Sequence, residues 1–169
     1  PARHHDGVVL AVNSDRHLYA LDAADGTQRW RTATENIEFG HLLVTAGIAV
    51  VGHPSGRLGV RVADGETMFH EPGHGNGARA QVSASGTVFQ SGFPNGIRAL
   101  DPTDGTVHWT VENEMGGVEI AHDDNTVCIV WNPNYQFSAP PWAIAGYDAE
   151  SGERLWYLDG DPDVTNHVL

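Results

Sequence analysis

The chain has 169 residues, and 22 acidic against 9 basic side chains give it a formal charge of −13. That length suits one domain with a real hydrophobic core, and 40% apolar with 18% charged residues is ordinary globular composition, which excludes an acidic disordered tail. The negative balance argues against a general nucleic-acid binder, which needs cations to displace counterions, and no apolar run approaches the ~18 residues of a membrane-spanning helix.

In chain order, VVLAV (8–12) reads as a strand and LYALDAADGTQRW (18–30) as a strand, a turn and a second strand. HLLVTAG (41–47) and IAVVG (48–52) lead into a degenerate copy of that hairpin, LGVRVADGETMF (58–69). RAQVSASG (79–86) and TVFQS (87–91) lead into IRALDPTDGTVHW (97–109). GVEIAHDD (117–124) and TVCIVW (126–131) lead into IAGYDAESGERLW (144–156), and VTNHV (164–168) reads as the start of a further strand. No stretch has a sustained helical period.

These segments form a repeat. The turn glycines Gly26, Gly65, Gly105 and Gly152 are 39, 40 and 47 residues apart, and Trp30, Phe69, Trp109 and Trp156 follow them at one fixed distance. Asp bonds to nearby backbone N–H groups and Gly accepts positive φ, so Asp-x-x-Asp-Gly is turn chemistry. Four strands per unit of about 40 residues predict an all-β propeller of four-stranded antiparallel blades. The expected blades are 7–33, 40–71, 78–112 and 117–159, with only three strands in the first. The four aromatics are read as packing that ties neighbouring blades together.

The unit Ala-x-Asp-x-x-x-Gly-x-x-x-Trp resembles the tryptophan-docking motif of the PQQ-like repeat family. Ala20, Asp22, Gly26 and Trp30 match it, as do Ala99, Asp101, Gly105 and Trp109; Gly146, Asp148, Gly152 and Trp156 match with Gly in the Ala place. The second copy keeps Gly65 and Phe69, reads as one residue short and lacks the Asp. The resemblance implies a ring of seven or eight blades, of which this chain supplies about half. Three arrangements are open: a fragment of a longer protein, as the start at Pro1 also leads one to expect; two chains pairing into one ring; or 164–168 completing the first blade in a small four-bladed ring. The resemblance also implies an extracytoplasmic or cell-envelope location in a bacterium.

Candidate chemistry is thin. His70-Glu71-Pro72-Gly73-His74 spells HExxH, but Pro and Gly oppose the helix that a zincin needs. The segment is read as a blade-to-blade loop. His4, His5 and Asp6 sit at the start of the chain, where disorder is common. Asp123-Asp124-Asn125 reads as a hairpin turn, and Asp161 and Asp163 likewise. Cys128 is the only cysteine and lies in an apolar run, as a structural thiol would. No catalytic residue, metal site or cofactor is assigned.

Loop sorting points to one binding face. The longer, more varied loops gather at the end of the blades opposite the Asp-Gly turns, and loops that vary on a rigid frame are where binding resides. The insertion 132–142 carries Tyr135, Phe137 and Trp142, stiffened by three prolines. Glu38, His74, Asn76 and Glu114 lie in neighbouring loops and complete the candidate binding set. Glu35, Glu112 and Glu119 add negative potential that suits a basic or mixed partner. The leading expectation is a non-catalytic scaffold for a protein partner or small ligand, with no nucleic acid, no transmembrane segment, and self-association or a missing half of the ring as further partners. The alternative implied by the resemblance is a fragment of a quinoprotein dehydrogenase, which uses pyrroloquinoline quinone (PQQ) with calcium; other members are a bacterial lipoprotein that helps assemble outer-membrane barrels and propellers attached to kinases.

Overall fold

The computed structural model describes residues 2–34, 41–53, 56–72, 79–83, 85–92, 96–112, 117–131 and 143–159. Among them every regular element is a strand. Sixteen strands form four sheets, each an antiparallel meander of four consecutive strands. The first holds β1 (Ala2–His5), β2 (Val8–Asn13), β3 (His17–Asp22) and β4 (Gln28–Ala33). The second holds β5 (His41–Thr45), β6 (Ile48–His53), β7 (Gly56–Arg61) and β8 (Thr67–Pro72). The third holds β9 (Arg79–Val82), β10 (Val88–Gly92), β11 (Gly96–Leu100) and β12 (Val107–Val111). The fourth holds β13 (Gly117–His122), β14 (Thr126–Trp131), β15 (Ala143–Asp148) and β16 (Arg154–Asp159). The first strands meet in turn, β1 with β5, β5 with β9 and β9 with β13, so they line the inside of an arc. The architecture is that of a β-propeller.

The first sheet has four strands, not the three that its apolar pattern predicts. Ala-Arg-His-His carries no apolar alternation, so β1 is invisible to a hydrophobicity reading. It forms because Asp6 (φ 45°) and Gly7 (φ 75°) make a two-residue turn with two positive φ angles, the geometry that matches strand twist. His4 then pairs with Val9 and His5 with Val8. The first sheet therefore has its inner strand already. Residues 164–168, proposed to supply one, lie outside the described residues.

The repeat motif has a mechanical meaning at each place. Its Ala or Gly is the cross-strand partner of its aromatic: Ala20 faces Trp30, Gly59 faces Phe69, Ala99 faces Trp109 and Gly146 faces Trp156. The ring lies over that small residue, and a Cβ on Gly59 or Gly146 would fall inside it. A bulge follows at once in all four hairpins and bends the strand into the turn. In the turn Asp22 Oδ1 accepts from Ala24 N (2.9 Å) and Asp25 Oδ1 from Thr27 N (2.8 Å). Asp101 and Asp104 repeat this with Thr103 and Thr106.

The second copy is not one residue short. Gly65 N bonds Arg61 O, as Gly26 N bonds Asp22 O, so Arg61 stands in the Asp place at full length. Its guanidinium instead grips Asp64 (2.8 Å) and Glu66, which holds the turn with reversed charge.

The core consists of layers between the sheets. Leu10, Leu18, Val51 and Val60 pack in the first layer, and Ile97, Ala99, Val127 and Ile129 in the third. The middle layer is smaller, with Ile48, Val50, Val88 and Leu100. One aromatic crosses each boundary. Trp30 lies against the Gly65 turn, Phe69 against Gly105 and Trp109 against Gly152, each within 2.8 Å of where a Cβ would stand. Trp30 Nε1–H donates to Val62 O (2.9 Å) and Trp109 Nε1–H to Ala149 O (3.1 Å). Trp156, expected as a fourth tie, is 39% exposed.

The turn carboxylates couple stability to acid. Asp22 is held below the usual carboxylate range by Arg29, Asp64 by Arg61 and Asp101 by the Thr103 hydroxyl. Backbone N–H groups do the same for Asp123 and Asp148, those of Asn125 and Ser151 leading. A carboxylate depressed in the folded state stabilises above its unfolded pKa and loses that contribution as pH falls through its folded pKa. The urea midpoint is expected to be level near neutrality and to fall below about pH 4. Asp101→Asn and Asp148→Asn should flatten that acid limb, as urea titrations at several pH values would measure.

Candidate binding face

Each sheet has two ends, and main-chain bonds identify them. Ala23 N bonds Gly7 O, Val62 N bonds Gly47 O and Ala149 N bonds Asn125 O, so the first and third turns of a sheet share one end. Thr34 N bonds Arg16 O, so the second turn and the link to the next sheet share the other. The strands that bound 35–40, 73–78, 113–116 and 132–142 run to this second end. Those segments hold Glu38, His74, Asn76, Glu114, Tyr135, Phe137 and Trp142, and all seven lie outside the described residues.

What the described residues place at this end is a buried ion pair. Arg57 is the second residue of β7 and pairs across the ladder with Glu71 of β8. Its Nη2 donates to a Glu71 carboxylate oxygen. The Arg57 side chain is 2% exposed and that of Glu71 28%. Arg57 Nε and Nη1 find no acceptor. Burial pushes the Arg57 pKa down, Glu71 raises it, and Arg98 across the sheet boundary lowers it again. Gln90, the cross-strand partner of Arg98, is also buried. The polar content of this boundary matches its smaller apolar layer.

Sequence reasoning missed Arg57 because it precedes an apolar run, LGVRV, and reads as an exposed strand end. It read Glu71 as part of HExxH in a loop. Instead His70 and Glu71 are consecutive residues of β8, so they project to opposite faces of a sheet. That geometry removes the zincin arrangement, which needs both histidines on one face of a helix.

The opposite end is built from turns. A cleft of ≈ 170 Å³ lies there between Ala46, the Ser85–Thr87 turn, Asp101–Thr103 and His108. Asp123 Oδ1 accepts from Asn125 N (2.8 Å) and Thr126 N (2.7 Å), so its oxygen is committed to the turn. Cys128 is half-buried in β14, and burial raises its pKa, the reverse of what an activated thiol needs.

Meander sheets in an arc, joined by an aromatic at each boundary, define a propeller of the PQQ-like repeat class. The family model described as outer membrane protein assembly factor BamB matches residues 2–72 and 48–168, and the chain belongs to that family. The outer membrane protein assembly factor BamB of Vibrio cholerae serotype O1 is 31% identical over 143 residues, which is 74% of this chain and 37% of that protein. Among solved structures, the computationally designed Ika8 protein superposes with a TM-score of 0.76 at 14% identity, over 95% of this chain and 48% of that one. Quinohemoprotein alcohol dehydrogenase ADHIIG from Pseudomonas putida HK5 superposes with a TM-score of 0.70 at 17% identity, over 93% of this chain and 33% of that one. The chain thus spans about two fifths of the length of the curated relatives it matches.

Proposed function

We propose that this chain is a non-catalytic propeller scaffold that presents its loop-bearing end to a partner protein in outer-membrane protein assembly, at the cell envelope of a bacterium. The observation that carries this reading is the family match through nearly the whole chain. The likeness to the dehydrogenase is one of fold alone. In the oxygen-rich 123–125 cluster, Asp123 Oδ1 is engaged by its own turn. No cofactor enters the reading.

Tyr135, Phe137 and Trp142 are the proposed anchors, because rigid aromatics give contact area at low entropic cost. Glu38, His74, Asn76 and Glu114 are the proposed polar rim. The charge of −13 favours a basic or mixed surface on the partner. The test is in-cell crosslinking from a photoreactive residue at Tyr135, followed by affinity measurement with the captured protein. Tyr135→Ala/Trp142→Ala is expected to weaken that affinity at least about tenfold while the β-sheet circular dichroism is retained. An unchanged affinity removes the insertion from the contact. Dye reduction with added PQQ and calcium would overturn the scaffold reading itself.

A further inference from the structure

Polar side chains meet across the middle sheet boundary, in the row beyond its apolar layer. Arg57 and Glu71 are cross-strand partners on the second sheet, and Gln90 and Arg98 on the third. Strand alternation puts Gln90 on the face of β10 that carries Val88, and Arg98 on the face of β11 that carries Leu100. Both therefore look toward the second sheet. Arg57 pairs with Gly52, and a Cβ placed on Gly52 would stand 3.6 Å from Gln90 Nε2. The bare glycine thus lets the Gln90 amide reach the row of Arg57. Glu71 engages one guanidinium nitrogen of Arg57, and the other two, Nε and Nη1, are buried without an acceptor. Arg98 brings a second guanidinium near enough to disfavour the charge of the first. The row opens to solvent beside Glu71, whose side chain is 28% exposed.

We propose that this row is a binding site for a small carboxylate, which enters beside Glu71 and accepts from Arg57 and the Gln90 amide. A buried N–H without an acceptor is destabilising, and an anion is the ligand class that satisfies it with a charge-assisted bond. A carboxylate fits because it is flat, acceptor-only and singly charged. A phosphate fits less well, since its second negative charge would lie against the Glu71 carboxylate. Glu71 is then a resident competitor for the guanidinium as well as its partner. The same chemistry is offered by a free organic acid and by an acidic side chain of a bound protein. The site uses none of the proposed aromatic anchors, so it stands apart from the partner reading above.

The probes are sodium formate and sodium acetate, titrated into the 169-residue chain at constant ionic strength against the bulky anion of sodium HEPES. The thermal midpoint is expected to rise saturably with either probe, as binding to the folded state alone requires. The Arg57 Nε–H resonance, identified by its loss in Arg57→Met, should shift over the same concentration range. Glu71→Gln should bind formate at least about tenfold more tightly than the wild type, because the competing carboxylate is gone. Added formate should therefore restore part of the stability that this variant loses. Arg57→Met, which is expected to fold, should respond no more than the ionic-strength control. A second arm compares acetate with the carboxylate of N-acetyl-aspartate N-methylamide. Tighter binding of the latter assigns the site to an acidic side chain, and tighter binding of acetate to a free acid. A wild-type midpoint response equal to that of Arg57→Met would overturn the proposal, as would an unmoved Arg57 resonance or a Glu71→Gln variant with no gain in formate affinity.

Discussion

Trp109→Ala is expected to lower the unfolding free energy by about 3 kcal/mol, the scale for truncating a large aromatic in a packed layer. Its ring joins the third and fourth sheets. The Phe89 ring lies 6.0 Å away at 31°, and the Gly152 turn closes the other side. The indole N–H is committed to Ala149 O at 3.1 Å. Alanine removes that contact area, the hydrogen bond and the filling of the seat together. The seat offers no side chain to fill the gap, because it is a turn closed by Gly152 at φ 74°. Urea titration should show a lower midpoint. Hydrogen exchange should show β13–β16 losing protection before the first sheet, since only the last boundary has been cut. Trp109→Phe separates the two contributions. It keeps most of the packing and forfeits the N–H bond, for a cost of about 1 kcal/mol. Equal losses for the two variants would show that packing is not what the residue supplies.

Glu71→Gln is expected to cost about 3 kcal/mol, although Glu71 itself is only partly buried. The reason lies in its partner. Arg57 is held in the interior with two donors already unsatisfied, and Glu71 is the carboxylate that compensates its charge. Neutralising Glu71 strands a guanidinium that burial and Arg98 both disfavour. Arg57→Met removes the charge and keeps an unbranched apolar stem. It is expected to be neutral or stabilising, because the desolvation penalty disappears with the group. The double variant should then recover most of the loss caused by Glu71→Gln. A thermodynamic cycle from urea titrations measures this directly. Additive effects would mean that the pair is not coupled.

The sequence and the structure part company at identifiable places. The turns were legible because Asp-x-x-Asp-Gly is local chemistry: the bonds run two or three residues and need no distant partner. The aromatics were legible by spacing alone. The inner strand β1 was not, since Ala-Arg-His-His has no apolar period and its pairing is imposed by the Asp6-Gly7 turn. The second unit looked shortened because Arg61 occupies the Asp place, and only the hydrogen-bond register restores its length. Trp156 and Trp30 are alike in sequence, yet Trp156 is 39% exposed whereas Trp30 is packed on the Gly65 turn, because burial depends on the surface a ring meets and not on its local motif.

By itself, then, the sequence determined that this chain is a repeat of four-stranded sheets with a glycine turn and an aromatic in each. Period and turn chemistry are properties of neighbouring residues, so they survive in one dimension. The tertiary structure alone decided that Arg57 and Glu71, fourteen residues apart, form a buried pair. It alone decided that Trp30, Phe69 and Trp109 each cover a glycine turn of the next sheet. Burial and complementarity belong to surfaces brought together across the chain, and no local pattern encodes which of two identical side chains will find its cover.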